Sequence, residues 1–141
     1  MLRTTLGFAV ILMLAAWATP PASSAPSPMV GSWRGVATLN GMSCTFDRVI
    51  TPGTYSEIER CGTLATSQRG TYRIFPNSTV SFVVQDFTPR RRYVQDTGYT
   101  GHWELNATPP GGTFRYTFVN ANTMVFRDVN LGGSLTYHRV Q

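Results

Sequence analysis

The chain has 141 residues, with 12 basic residues that are all arginine and 7 acidic ones, giving a formal charge of +5. That length leaves room for one domain with one modest core and excludes two. The positive excess concentrates only at Arg90-Arg91-Arg92, too short a stripe for nucleic-acid binding, which needs a longer basic track interleaved with stacking aromatics.

At the N-terminus, Arg3 precedes an apolar run from Leu6 to Ala16, the pattern of an export leader. The run falls short of the roughly twenty residues a spanning helix needs. Ala16-Trp17-Ala18 fits the small-x-small cleavage rule, so residues 1–18 are expected to be removed. Cleavage as late as Ala25 would place Pro26 first, a poor arrangement for the peptidase. No cysteine near either site offers a lipid anchor. The mature protein is therefore expected in the periplasm or medium as a monomer without a membrane span, with a Pro/Ser-rich arm at 19–28 and a domain at 29–141.

From Met29 onward polarity alternates with period two between turn signals, which predicts an all-β domain. Strands are expected near 30–39, 43–51, 54–65, 70–76, 79–87, 113–119, 123–129 and 133–140. A hairpin turn at Thr51-Pro52-Gly53-Thr54 sets Ile50 opposite Tyr55, Arg48 opposite Glu57 and Cys44 opposite Cys61. Directly opposed residues lie within disulfide reach, and an even cysteine count in an exported chain argues for one Cys44–Cys61 bridge. Metal binding by the pair would need further ligands, and none is near in sequence.

Further along, a three-residue loop around Asn77 aligns Tyr72 and Ile74 with Val80, Phe82 and Val84. A three-residue loop at Asn120 to Asn122 pairs Phe118 with Met124 and Tyr116 with Phe126. A four-residue loop at Asn130 to Gly133 pairs Asp128 with Leu135 and Phe126 with Tyr137. Both of these last loops put Phe114, Tyr116, Phe118, Met124, Phe126, Leu135 and Tyr137 on one inner face, and Thr113, Arg115, Thr117, Arg127, Thr136 and His138 outside. Residues 88–111 break the alternation and form a long insertion. It carries Arg90, Arg91, Arg92, Tyr93 and Trp103, read either as a recognition surface or, for Trp103, as a plug packed into one end of the domain.

No Ser/His/Asp spacing, metal-binding histidine pair, phosphate-cradling loop or dinucleotide fingerprint is present. His102 beside Glu104 reads as a solvated loop pair. The sequence thus predicts a non-enzyme without metal or cofactor. The register that joins the cysteines also puts Arg48, Glu57 and Glu59 on the face of Phe46, Ile50 and Tyr55. Either these charges enter the interior, where Arg48, Tyr55 and Glu57 would orient a ligand, or a bulge near Cys61-Gly62 turns them out as an ordinary surface ion pair. The surface pair is the simpler expectation.

Gly31-Ser32-Trp33 opening the first strand, eight strands in meander order and Tyr137-His138-Arg139 closing the last resemble the lipocalin-like superfamily of up-and-down barrels. The resemblance implies an eight-stranded antiparallel barrel in which Trp33 packs at the closed end and Arg139 lies across its ring, with a small, partly apolar ligand in the cup. Gly31, Trp33, Cys44 and Cys61 are also similar in outline to small exported bacterial inhibitors of secreted metalloproteases. That likeness implies a secreted protease as partner, reached through the arm at 19–28 or the 88–111 insertion. A structural envelope protein with no ligand is the third expectation.

Overall fold

The computed structural model describes residues 27–95 and 101–141. The expected leader and most of the expected arm lie outside these residues. Ten strands follow one another: β1 Gly31–Leu39, β2 Met42–Thr51, β3 Thr54–Cys61, β4 Leu64–Phe75, β5 Thr79–Thr88, β6 Arg91–Gln95, β7 Gly101–Leu105, β8 Gly112–Asn120, β9 Thr123–Asp128 and β10 Ser134–Arg139. Eight of them close into an antiparallel barrel in the order β1-β2-β3-β4-β5-β8-β9-β10, with β10 returning to β1. Closure leaves no free edge in the main sheet. The insertion at 88–111 is not a plain loop, because β6 and β7 pair as a separate two-stranded ribbon.

Short turns made the early registers legible. Cys44 faces Cys61, Arg48 faces Glu57 and Ile50 faces Tyr55; Tyr72 faces Phe82 and Ile74 faces Val80; Phe118 faces Met124 and Tyr116 faces Phe126. Three expectations need correction. The strand expected at 54–65 stops at Cys61, where Gly62 at φ 58° turns the chain and β4 starts six residues before the strand expected at 70–76. The last hairpin pairs Leu135 with Phe126 and Tyr137 with Met124, a slip of two from the expected register. Its loop is longer because the Asp128 carboxylate accepts from the Asn130 and Leu131 N–H groups, both at 2.7 Å, while Asp128 N–H donates to Gly133. A slip of two preserves the parity of the strand, so the inner face is unchanged. Finally, no bulge at Cys61-Gly62 turns the charges out; register shifts lie instead between Arg69 and Gly70 and, next to the β8–β9 turn, between Phe118 and Asn120.

The shift at Gly70 has a clear local cause. Gly70 faces Val84 while Arg69 faces Asp86, so Gln85 is the extra residue. A side chain at position 70 would overlap the Val83 carbonyl, and only glycine allows the backbones to approach this closely. The extra residue resets the alternation, placing Asp86 outside against Arg69 and Arg90, and bringing Phe87 into line with Gln68.

The core fills the lower half of the barrel, where β1 begins and β10 ends. Met29, Trp33, Ile50, Tyr55, Val80, Phe82, Met124, Phe126 and Tyr137 are buried together, with Phe46, Tyr72, Ile74, Phe114, Tyr116, Phe118 and Leu135 packed on them. An eight-stranded barrel is just wide enough for its own side chains to fill, and here the aromatic rings do so. At this end Trp33 is paired with Arg139 across the β1–β10 seam, and the guanidinium carbon lies 4.2 Å from the centre of the indole. Trp33 Nε1 donates to the Met29 carbonyl at 2.8 Å, and Arg139 donates to the carbonyls of Val30, Pro28 and Ala121. Gly31 sits beneath this arginine at φ 143°, where a side chain would collide with Nη1. The glycine of the G-x-W motif is thus favoured by its own positive φ, and a side chain there would also displace the arginine that closes the barrel.

Candidate functional site

The opposite end is open. It is rimmed by the β1–β2, β3–β4 and β9–β10 turns and by the base of the ribbon, and the Cys44–Cys61 disulfide lies just inside it, with Cα atoms 4.3 Å apart. Three cavities enter the barrel around this mouth, with volumes of about 410, 350 and 310 Å³. Gln68 borders the first and second, while Arg48, Phe114, Asp128 and Leu131 border the second and third. They are lobes around one shared floor.

That floor is polar. Arg48 and Glu57 are each only 7% exposed, so the surface ion pair expected from the sequence is in fact internal. The reason is plain parity: without a bulge in β2 or β3, residues 46, 48, 50, 55 and 57 must share one face, and Ile50 and Tyr55 belong to the core. Arg48 Nε and Nη2 both donate to Glu57 Oε2, at 2.7 and 2.6 Å, and the Tyr137 hydroxyl donates to the same oxygen at 2.9 Å. Gln68 Nε2 donates to Oε1 at 3.0 Å. The guanidinium is enclosed by aromatic rings, with its carbon 4.6 Å from the centre of Phe82, 5.1 Å from Tyr137 and 5.3 Å from Phe126.

Burial opposes the Arg48 charge, yet the Tyr137 oxygen and the Glu57 carboxylate outweigh it and hold the guanidinium above its ordinary range. Burial likewise pushes the Tyr137 phenol well above its usual value, so it remains a hydrogen-bond donor. Tyr55 is raised for the same reason, with Arg48 partly offsetting it. Among the described residues neither Arg48 Nη1 nor the Tyr55 hydroxyl has a protein partner. No buried side-chain nitrogen or oxygen is unsatisfied there, so both atoms lie at accessible surface, and the second cavity touches both residues.

Glu59, one turn of the pleat above Glu57, lines the first cavity. Desolvation, and then the neighbouring Glu57, raise its pKa, with a Thr66 hydroxyl opposing them. Its Oε1 lies 3.3 Å from Cys61 Sγ. Cys44, Glu59 and Cys61 thus cluster tightly, but both sulfurs are held in the disulfide and the trio offers a metal one usable ligand. The hairpin register already set Glu57, and not Glu59, opposite Arg48, and the structure keeps that distinction: Arg48 pairs with Glu57, while Glu59 lies opposite Phe46.

The insertion residues lie apart from this floor. Tyr93 and Trp103 face each other across the ribbon with ring centres 5.5 Å apart, and Trp103 is 64% exposed, so it plugs neither end of the barrel. The ribbon's pairing puts Arg91, Tyr93, Trp103 and Leu105 on one face. On the other, Arg92 and His102 meet Glu104. Arg90 is drawn to Asp86 on β5. The base of the ribbon does reach the mouth, since Pro89, Asn106, Ala107 and Pro109 wall the first cavity.

Among the described residues no helix is long and apolar enough to cross a membrane. Neither the protein-family models nor the curated proteins contain a match to this chain.

Proposed function

We propose that this is an exported, non-catalytic barrel of lipocalin-like type that holds a small amphiphilic ligand in its open mouth. The observation that carries the reading is the division of the interior. The closed half is packed solid with aromatic side chains, and the open half has cavities of ligand size bordered by Phe114, Phe82 and Tyr55, with the Arg48 guanidinium at their floor. A mostly apolar wall with a few convergent polar groups is what orients a ligand that has an apolar body and a polar end. The Cys44–Cys61 bridge fits an oxidising compartment, in keeping with the export leader read at residues 1–18.

Native mass spectrometry of the protein purified from its own periplasm or medium, followed by thermal-shift screening against amphiphiles, tests this reading. A retained small molecule, or a compound at 100-fold its Kd adding about 2.7 kcal/mol of stability, is the expected result. A bare protein mass with no stabilising compound would overturn it.

A second reading, an inhibitor or adaptor for a secreted protease, is supported by the exposed Arg91, Tyr93, Trp103 and Leu105 face of the ribbon. Trp103→Ala, or deletion of residues 19–28, would abolish protease inhibition under that reading and leave small-molecule binding intact.

A further inference from the structure

The carboxylates around the mouth are not all matched in the same way. Among the described residues, Asp47 meets Arg34 and Arg60, Glu57 meets Arg48, Asp86 meets Arg69 and Arg90, and Glu104 meets Arg92. Asp128 is engaged by the N–H groups of its own loop. Glu59 has neither a cation nor loop N–H groups against its carboxylate, and it lies on the wall of the largest of the three mouth cavities.

The surroundings of Glu59 define what could fill that cavity. Thr66, Ser67, Gln68 and Asn106 supply polar atoms, while Phe87 and the prolines 89 and 109 supply apolar surface. Glu57, the second carboxylate on the wall, holds Arg48 with one oxygen and Gln68 with the other, and Arg48 is not among the groups that act on Glu59. The disulfide beside Glu59 carries no proton and no charge.

We propose that this cavity binds an alkyl amine, its ammonium group on the Glu59 carboxylate and its chain against Phe87 and the prolines. The proposal rests on the mouth being a ligand site, as argued above, and adds the charge of the ligand's polar end. A partly desolvated carboxylate with a like-charged neighbour gains more from an arriving cation than an exposed one does. The whole protein carries +5 and repels cations in general. Preference for an amine would therefore report this local site and not the bulk field.

The test compares octylammonium, octanol and octanoate, three probes with the same chain, by calorimetric titration at pH 8 below their aggregation concentrations. The wild-type protein and Glu59→Gln are compared, with circular dichroism confirming the fold of the variant. Octylammonium should bind about tenfold more tightly than octanol to the wild type, and Glu59→Gln should erase that difference while leaving octanol binding unchanged. Equal binding of amine and alcohol, tighter binding of octanoate, or a preference that survives Glu59→Gln would each overturn the assignment while leaving the mouth as a ligand site. If none of the three probes binds, the inference falls together with the reading on which it rests.

Discussion

Arg48 is held in the barrel by an arrangement that only works as a pair. A guanidinium among Phe82, Phe126 and Tyr137 has lost most of its water, and the shared Glu57 oxygen replaces it. Arg48→Met should therefore destabilise the protein by about 3–5 kcal/mol, because it strands a buried carboxylate, and Glu57→Leu should do the same by stranding the guanidinium. The double variant Arg48→Met/Glu57→Leu should be more stable than either single one in urea unfolding. Glu59 behaves differently. Its pKa is raised in the folded state, so between the ordinary glutamate value and the raised one the native state binds more protons than the unfolded chain, and stability falls as pH rises through that window. Glu59→Gln should remove this contribution, leaving a variant more stable than wild type at pH 8 and no more stable at pH 4. Thermal unfolding at the two values checks it.

At the scale of elements, the ribbon and the closing seam carry tryptophans with opposite fates. Trp103 is mostly exposed on β7, whereas Trp33 on β1 is 1% exposed. Trp103→Ala should change stability by no more than about 0.5 kcal/mol, and iodide should quench Trp103 emission while leaving that of Trp33 largely intact. The ribbon was not legible in the sequence for a related reason. Its strands bury no face, so Arg91-Arg92-Tyr93-Val94-Gln95 shows none of the polar and apolar alternation that marks the barrel strands. Where one face is buried, the pattern was sufficient, as at Phe114, Tyr116 and Phe118 on β8. It also implied that Arg48 and Glu57 share the face of Ile50 and Tyr55. Charge alone suggested a bulge to expose them, and what it could not supply was Tyr137, 80 residues away in the chain, whose hydroxyl completes the pair from across the barrel. The register of the final hairpin depended on a side chain capping a loop, which the spacing of turn residues does not encode.

For the whole molecule, one contact joins the two ends of the domain. Trp33→Ala should cost about 3–5 kcal/mol by opening a cavity at the closed end. Arg139→Ala should cost on the order of 1–3 kcal/mol, since it removes the cation over the indole and leaves the carbonyls of Pro28, Val30 and Ala121 without their donor. A double-mutant cycle in urea should return a coupling of roughly 0.5–3 kcal/mol, whereas strands that do not meet would give additive effects. A sealed lower end matters for the upper one. It makes the barrel a cup closed at one end, with Arg48, Glu57 and Glu59 lining the cavities of the open half.

The central claim is that ligand occupies the mouth and nothing else on the protein. It is tested most directly by a nitrogen–proton correlation spectrum of the isotope-labelled protein during titration with octylammonium. Saturable shifts should appear at Gln68, Phe87, Asn106 and the Arg48 Nε–H, with the Trp33 and Trp103 indole signals unmoved. Shifts confined to Tyr93 and Trp103 on the ribbon, or a spectrum that does not change, would contradict the account.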